Sequence, residues 1–194
     1  GPLAVSLHNA LLYREAQALT LSDDLTRLFN SRYVFQWIGN SVQRYRKLNK
    51  PFSIIFLDLD GFKTVNDRYG HLVGGRTLIE IGKIIAQAVR KRDRVARYGG
   101  DEFVVMLPAA GESESMGVAE KIRPAIQNYD FQTAIQKEIH LSASFGVAVF
   151  PDHGESATEL IQKADQAMYR VKYSGKNAVC SARLGGAKKS LSHS

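Results

Sequence analysis

Three carboxylates lie next to apolar runs in positions that could bring them together. Asp58 follows the run FSIIFL, and Asp101 with Glu102 precedes the run FVVML, directly after Gly99 and Gly100. If the two runs are neighbouring strands, the three acids converge at one sheet edge, where like charges are unfavourable unless cations lie among them. Oxygen ligands at this density suit Mg²⁺, which takes one or two protein carboxylates and fills its shell with water and phosphate oxygens. The spacing therefore predicts metal-assisted phosphoryl transfer.

The cations that could hold a phosphate are all lysines. The sequence contains no GxxxxGK[ST] loop, so a P-loop is excluded. Lys63, Lys172 and Lys176 are the candidate phosphate ligands, although a lysine on a helix surface is more often simply solvated. On these residues alone, an ordinary solvated turn at Asp101 is as good an interpretation as a catalytic one.

The elements that must position these residues alternate between extended and helical patterns. Apolar runs predict strands at about 52–57, 104–107 and 139–150, and a short strand near 177–181. Apolar spacings of three and four predict helices at about 28–47, 74–90, 113–127 and 156–173. The order predicts an α/β protein with one sheet and no internal repeats.

The two ends of the chain have a different character from its middle. Apolar residues at mostly helical spacing over 3–20 predict an inter-domain signalling helix that pairs with a copy of itself. The initial Gly-Pro is typical of a tag remnant, and the Gly-, Ser- and Lys-containing tail predicts disorder. We therefore expect a tag remnant and linker helix at 1–21, one folded domain at 22–181 and a disordered tail at 182–194.

Composition narrows the class of partner. The chain has 194 residues, 44% of them hydrophobic, and a formal net charge of +7, which favours a polyanionic ligand. No helix-turn-helix spacing, zinc knuckle or aromatic-basic stripe accompanies the charge, so we expect no DNA partner.

The single cysteine, Cys180, excludes a disulfide framework and fits a reducing compartment. No apolar run is long enough to span a bilayer, so we expect a soluble, cytoplasmic fragment.

Five stretches of the sequence resemble, in the correct order, the successive blocks of the GGDEF family of diguanylate cyclases. They are DDLTRLFNSR (23–32), DLDGFKTVNDRYGH (58–71), RYGGDEF (97–103), SASFGVAVFP (142–151) and ADQAMYRVKYSGKN (164–177). The resemblance covers about residues 22–180. It implies an α+β sandwich in which a central, mostly antiparallel sheet is flanked by helices, as in adenylyl cyclases and the polymerase palm.

The resemblance also implies an activity. Enzymes of this family condense two GTP molecules to cyclic di-GMP and two pyrophosphates, with two Mg²⁺ or Mn²⁺ ions per active site. Each subunit of a homodimer holds one nucleotide, and each 3′-hydroxyl attacks the α-phosphate of the other. A bacterial, cytoplasmic signalling enzyme is therefore expected, with a GAF-like sensor domain preceding it in the full-length protein.

The roles of individual residues follow from their positions in the family blocks. The metal ligands implied are Asp58, the main-chain carbonyl of Leu59, Asp101 and Glu102. The catalytic group comprises Asp101, as base for the 3′-hydroxyl, together with Glu102 and Lys63. The substrate-binding positions are Phe62, Lys63, Asn66, His71, Gly75, Lys172 and Lys176. Lys176 stands where the family more often has Arg. A lysine offers phosphate a single point charge in place of the two-pronged contact of a guanidinium, so phosphate binding should be weaker but not lost.

Gly75 departs from the family pattern. In GHLVGGRTL it occupies the position where the family usually has an Asp that accepts hydrogen bonds from guanine. Loss of that carboxylate removes a discrimination against adenine. Two interpretations stay open: that Asn66, main-chain groups and water still select guanine, or that ATP is also accepted and the mixed cyclic GMP-AMP is made.

Two further expectations concern regulation and loss of activity. Arg90 and Asp93 resemble the family's RxxD inhibitory site, which predicts feedback inhibition by a cyclic dinucleotide. A catalytically silent receptor for GTP or cyclic dinucleotide is the alternative from another functional class. The intact Asp58, Asp101, Glu102 and Lys63 argue against it.

Overall fold

The computed structural model describes residues 20–183, so all but residues 20 and 21 of the predicted linker segment, and all but residues 182 and 183 of the predicted tail, lie outside the described residues. The helices in this range are α1 (Ser31–Leu48), α2 (Phe62–Ala88), α3 (Glu112–Gln127), α4 (Phe131–Ile135) and α5 (Ala157–Tyr173). The strands are β1 (Phe52–Asp60), β2 (Arg94–Gly99), β3 (Glu102–Leu107), β4 (Ser142–Phe150) and β5 (Val179–Ser181). None of the described helices is both long and apolar enough to cross a membrane.

The strands form one five-stranded sheet in the order β2-β3-β1-β4-β5. All pairs are antiparallel except β4 with β5, which is parallel. The predicted fold class, a mostly antiparallel sheet flanked by helices, is confirmed.

Alternation along β1 divides the core between the two faces of the sheet. Ile55 and Leu57 pack with the apolar residues of α2 and α3. Ile54 and Phe56 pack with those of α1 and α5. Because successive side chains of a strand point to opposite faces, Asp58 and Asp60 continue the row of Ile54 and Phe56 toward the α1–α5 side.

Helix α2 begins earlier than the sequence predicted. The apolar period from 74 onward was recognised, but the helix starts at Phe62 and is interrupted at Gly70, where φ is +82°. Glycine adopts this angle without steric cost. The break separates two helical pieces with different buried faces, so no single period runs through them. The five-residue helix α4 was not predicted because it is too short to show a period.

Gly146, in the middle of β4, is the point of closest approach between α5 and the sheet. A Cβ atom at this position would overlap the Ala164 carbonyl oxygen and the Met168 nitrogen, which are backbone atoms that cannot rotate away. The sheet and α5 can therefore pack at this distance only with glycine at position 146.

We expect Gly146→Ala to lower the free energy of unfolding by about 3 kcal/mol, because overpacking forces α5 away from the sheet. Gly39→Ala is the matched control, since a Cβ at Gly39 in α1 would meet nothing within 4 Å and should stabilise the helix by about 0.5–1 kcal/mol. Urea unfolding of both variants measures the difference. Wild-type stability for Gly146→Ala would contradict the packing described.

Candidate active site

The three carboxylates identified in the sequence do lie at one end of the sheet. Asp58 and Glu102 are direct register partners across β1 and β3. The Leu59 N–H donates to the Asp101 carbonyl oxygen at 3.3 Å, which fixes the hairpin turn against β1. That turn contains Gly100 with φ of +50°. The expectation that the two apolar runs are neighbouring strands is thus confirmed.

Burial of these acids changes their pKa values. Desolvation raises the pKa of Asp58, and the nearby charge of Asp101 adds to the effect while Lys172 opposes it. Desolvation likewise raises the pKa of Glu102, reinforced by the charges of Asp58, Asp165 and Asp101. A nearby cation would stabilise the ionised form of these two half-buried acids.

Lys172, in the last turn of α5, supplies a positive charge at this point. Its ammonium group donates to Asp58 Oδ1 and, at 3.1 Å, to the main-chain carbonyl oxygen of Leu59. It also lies 3.2 Å from Asp60 Oδ1. Burial disfavours the charged amine, but these carboxylates outweigh that effect and raise the pKa of Lys172. The lysine therefore stays charged.

Asp60 was not among the predicted site residues. It is 8% exposed and accepts hydrogen bonds from Ser142 Oγ at 2.7 Å, Ser144 Oγ at 2.8 Å and the Asn177 N–H at 3.1 Å. The sequence holds a signal for this arrangement. Asp at 58 and 60 and Ser at 142 and 144 alternate on facing strands, and such alternation places them on one face of the sheet.

The oxygen atoms at this end of the sheet are of the kind that bind a divalent metal. Among residues 20–183, no group of three Asp, Glu, His or Cys side chains is arranged to hold a metal by itself. Mg²⁺ does not need such a group, because it usually takes one or two carboxylates and completes its shell from water and phosphates. The Asp58 carboxylate and the Leu59 carbonyl already hold a cation, the Lys172 ammonium. These oxygens fit Mg²⁺ or Mn²⁺ provided that the ammonium leaves.

A cleft of about 390 Å³ opens beside the carboxylates and brings most of the predicted substrate-binding residues together. The predicted residues that line it are Phe62, Lys63, Asn66, His71, Gly75 and Asp101. Both pieces of α2 contribute, because the break at Gly70 starts the second piece at His71.

The two glycines of α2 in this cleft differ in the space around them. A Cβ on Gly74 would overlap Asn66 Oδ1, so the Asn66 side chain can lie over the helix only because residue 74 has none. A Cβ on Gly75 would lie 3.6 Å from the nearest atom of Leu25, an ordinary contact. Position 75 can therefore carry a side chain, and its glycine is not a packing requirement.

Five residues that line the cleft were not among the predicted site residues: Leu25, Gly74, Leu78, Arg97 and Gly100. The Arg97 guanidinium donates to the Gly100 carbonyl oxygen at 3.0 and 2.8 Å and pairs with Asp23 at 3.2 Å. Asp23 in turn accepts the Thr26 N–H at 2.8 Å. An arginine before two glycines gives no sign of an ion pair 74 residues away, so only the structure reveals this link.

Lys172 and Lys176 do not line the cleft. Lys176 is exposed in the connection after α5 and adopts a positive φ of +63°. It precedes Asn177, whose N–H binds Asp60, and thus lies at the Asp60 end of the site. The predicted phosphate ligands are therefore divided, with Lys63 at the cleft and the other two on the α5 side.

The predicted inhibitory pair forms a tight turn after α2. The Asp93 carboxylate accepts the Arg90 N–H at 2.9 Å and is 8% exposed. The Arg90 guanidinium pairs with Glu114 at 2.5 Å and remains largely exposed. Both residues border a cavity of about 500 Å³. Asp93 shapes the turn, and Arg90 is the residue available to a ligand.

Comparison with known sequences identifies relatives along most of the chain. The family model described as "Diguanylate cyclase, GGDEF domain" matches residues 20–178. The bifunctional diguanylate cyclase/cyclic di-GMP phosphodiesterase MucR of Pseudomonas aeruginosa is 40% identical over 179 residues, which are 92% of this chain and 25% of MucR. The response regulator PleD of Caulobacter vibrioides is 35% identical over 162 residues, which are 83% of this chain and 36% of PleD. The chain therefore spans well under half the length of these relatives.

Solved structures agree with the sequence match. The GGDEF domain of YfiN (TpbB) from Pseudomonas aeruginosa has a TM-score of 0.78 and 29% identity, and the match covers 82% of this chain and 99% of that domain. The GGDEF domain of DgcB from Caulobacter crescentus, in complex with c-di-GMP, has a TM-score of 0.78 and 26% identity, covering 84% and 96% of the two chains. From its fold and from the sequence match over residues 20–178, this chain belongs to the GGDEF domain family.

Proposed function

We propose that this protein is a diguanylate cyclase that condenses two GTP molecules to cyclic di-GMP and two pyrophosphates. The observation that carries the proposal is the placement of Asp101 at the rim of a cleft, beside the Asp58–Glu102 pair. Relatives that are themselves diguanylate cyclases support it. Each chain binds one nucleotide in its cleft. Because the reaction joins two nucleotides, it requires a second copy of the chain.

In each half-site, which is the cleft of one chain with its bound nucleotide, different residues contact the base, the triphosphate and the 3′-hydroxyl. Phe62, Asn66 and His71 surround the base, and Lys63 in the first turn of α2 contacts the triphosphate. Asp101 accepts the proton of the 3′-hydroxyl, whose oxygen forms a bond to the α-phosphorus of the partner's nucleotide. The bond from that phosphorus to the β-phosphate oxygen breaks, and pyrophosphate leaves. The same step in the other half-site closes the ring.

Asp58, the Leu59 carbonyl, Asp101 and Glu102 would hold two Mg²⁺ or Mn²⁺ ions. Bound there, the metal supplies positive charge to the phosphate oxygens as negative charge develops on them. The protein's own part is to place these oxygens together at one sheet end, since the β1–β3 register holds the backbone of Asp58 opposite that of Glu102. Preorganised charge of this kind costs no rearrangement during the reaction.

We expect Asp101→Asn to reduce turnover by a factor of about 10²–10⁴, because the amide cannot accept the hydroxyl proton. Cyclic di-GMP formed from Mg²⁺ and GTP is quantified by mass spectrometry. The control is Asp67→Asn, which changes an exposed α2 carboxylate that does not line the cleft. Equal turnover in wild type and Asp101→Asn would contradict the proposed base, and GTP binding without any product from a demonstrated dimer would favour the silent receptor.

The observation at Gly75 favours a second product. Residue 75 lines the cleft, carries no carboxylate, and has space for a Cβ atom in ordinary contact with Leu25. A pocket without that acceptor does not penalise adenine for lacking guanine's N–H donors. Synthesis of the mixed cyclic GMP-AMP from GTP and ATP is therefore the alternative within the same reaction class.

We expect Gly75→Asp to shift the products toward cyclic di-GMP by about tenfold or more when GTP and ATP are both present, because the new carboxylate pairs with guanine alone. Gly75→Ala is the control, since it adds a Cβ without an acceptor. Mass spectrometry gives the ratio of cyclic di-GMP to cyclic GMP-AMP. If all three proteins gave the same ratio, position 75 would not be the selector.

Feedback inhibition at Arg90 completes the proposal. The RxxD spacing, the largely exposed Arg90 guanidinium and the adjacent cavity of about 500 Å³ support a cyclic dinucleotide site there. Binding breaks the Arg90–Glu114 pair and replaces it with a phosphate contact. A homodimer and an upstream sensor domain belong to the same proposal.

We expect Arg90→Ala to weaken cyclic di-GMP binding by about 10–100-fold, which corresponds to one or two charge-assisted hydrogen bonds. Calorimetric titration measures the affinity, and initial rates measure the inhibition. Arg92→Ala is the control, because Arg92 also approaches Glu114, at 3.5 Å, but does not border the cavity. Inhibition of Arg90→Ala at the wild-type concentration would place the inhibitory site elsewhere.

A further inference from the structure

Lys172 occupies the oxygens that the metal needs. Its ammonium group is bonded to Asp58 Oδ1 and to the Leu59 carbonyl oxygen, two of the proposed metal ligands. A divalent cation and an ammonium group cannot share these atoms, since two positive charges a few ångströms apart repel strongly in a partly buried site. Metal binding therefore requires that Lys172 move.

Asp60 provides the lysine with a second partner that the metal cannot take. Its side chain is 6% exposed. Oδ2 accepts from Ser142 Oγ and the Asn177 N–H, and Oδ1 accepts from Ser144 Oγ and faces Lys172. With both oxygens engaged inside the protein, Asp60 is a poor metal ligand. It remains a negative charge next to Lys172 after Asp58 has been given up.

From these contacts we propose that Lys172 is an exchangeable cation: the metal displaces it from Asp58 and Leu59, and Asp60 then positions it toward the nucleotide phosphates. This inference rests on the proposed cyclase function and adds a residue-level coupling to it. Lys172 lies one residue before the end of α5, and Gly175 follows with φ of +119°. Its flexible four-carbon stem allows the ammonium group to move while the helix stays in place.

The exchange makes metal and nucleotide binding depend on each other. Without nucleotide, the metal must remove an ammonium group from two oxygen partners and leave it with Asp60 alone. With nucleotide, the triphosphate offers that ammonium group new partners. Metal affinity should therefore rise when the triphosphate is bound, and by linkage nucleotide affinity should rise with metal. Lys172 thereby weakens the binding of either ligand alone relative to its binding in the presence of the other.

The experiment measures Mn²⁺ binding by the electron paramagnetic resonance signal of the free ion, which does not depend on turnover. In the absence of nucleotide, Lys172→Met should bind Mn²⁺ at least tenfold more tightly than wild type. A non-hydrolysable GTP analogue should raise wild-type Mn²⁺ affinity at least tenfold and that of Lys172→Met much less. Lys163→Met, at another lysine of α5, is the control and should behave as wild type.

Asp58→Asn separates the failure of this inference from the failure of the proposed metal site. If Mn²⁺ binding is lost in Asp58→Asn but unchanged in Lys172→Met, the metal site is correct and the exchange is overturned. If Asp58→Asn leaves Mn²⁺ binding unchanged, the metal does not use these oxygens, and the proposed metal site fails as well. Tighter Mn²⁺ binding in Lys172→Met together with loss in Asp58→Asn supports the exchange.

A measurement on the wild-type protein keeps the inference falsifiable if Lys172→Met does not fold, since that variant leaves Asp58 and Asp60 without their cation. Ammonium protons held in ion pairs exchange slowly enough to be observed by ¹⁵N-detected lysine NMR. The Lys172 signal, identified by its absence in the charge-conserving Lys172→Arg, should shift or disappear on addition of Mg²⁺ alone. An unchanged signal at saturating Mg²⁺ would overturn the exchange.

Discussion

The antiparallel pairing of β1 with β3 is the constraint on which the site depends. It holds Asp58 opposite Glu102 at one end of two mostly apolar strands. The main-chain hydrogen bonds of the sheet hold the Cα atoms of these two residues opposite each other, so both carboxylates stay at the same end of the sheet. The electrostatic repulsion between the two carboxylates is therefore a consequence of the fold. The ammonium group of Lys172, on α5, compensates it. Because the flexible side chain of Lys172 neutralises the carboxylate charge, a metal ion that supplies positive charge can take its place.

Asp58 and Asp60 lie two residues apart on the same face of β1 but have different partners. Both face the α1–α5 side of the sheet, but only Asp60 receives hydroxyl groups from Ser142 and Ser144 of β4. Its charge is satisfied within the protein, so it holds the end of α5 and the chain that follows. Asp58 meets Ser144 in the register with β4, but the hydroxyl of that serine is committed to Asp60. Asp58 depends on the Lys172 ammonium and is left available for exchange.

The parts of the site that the sequence predicted are those set by local pattern. Apolar runs identified β1 and β3, and once these strands are neighbours, Asp58, Asp101 and Glu102 must meet. Position within the family blocks placed Lys63, Asn66 and His71 at the cleft. The sequence did not identify Asp60, because its importance comes from serines on another strand. The first piece of α2 was missed because the break at Gly70 interrupts the helical period.

The link from Asp23 to Arg97 connects the segment before α1 with the turn that carries Asp101. Arg97 binds the Gly100 carbonyl with two nitrogens and Asp23 with a third. Because a guanidinium is planar and rigid, it fixes the distance between its partners. Asp23 itself is held by Thr26, whose amide and hydroxyl groups help to lower the pKa of Asp23 although burial opposes the change. Asp23 therefore stays ionised at neutral pH, and the position of the turn depends on the chain that enters the domain as well as on the sheet.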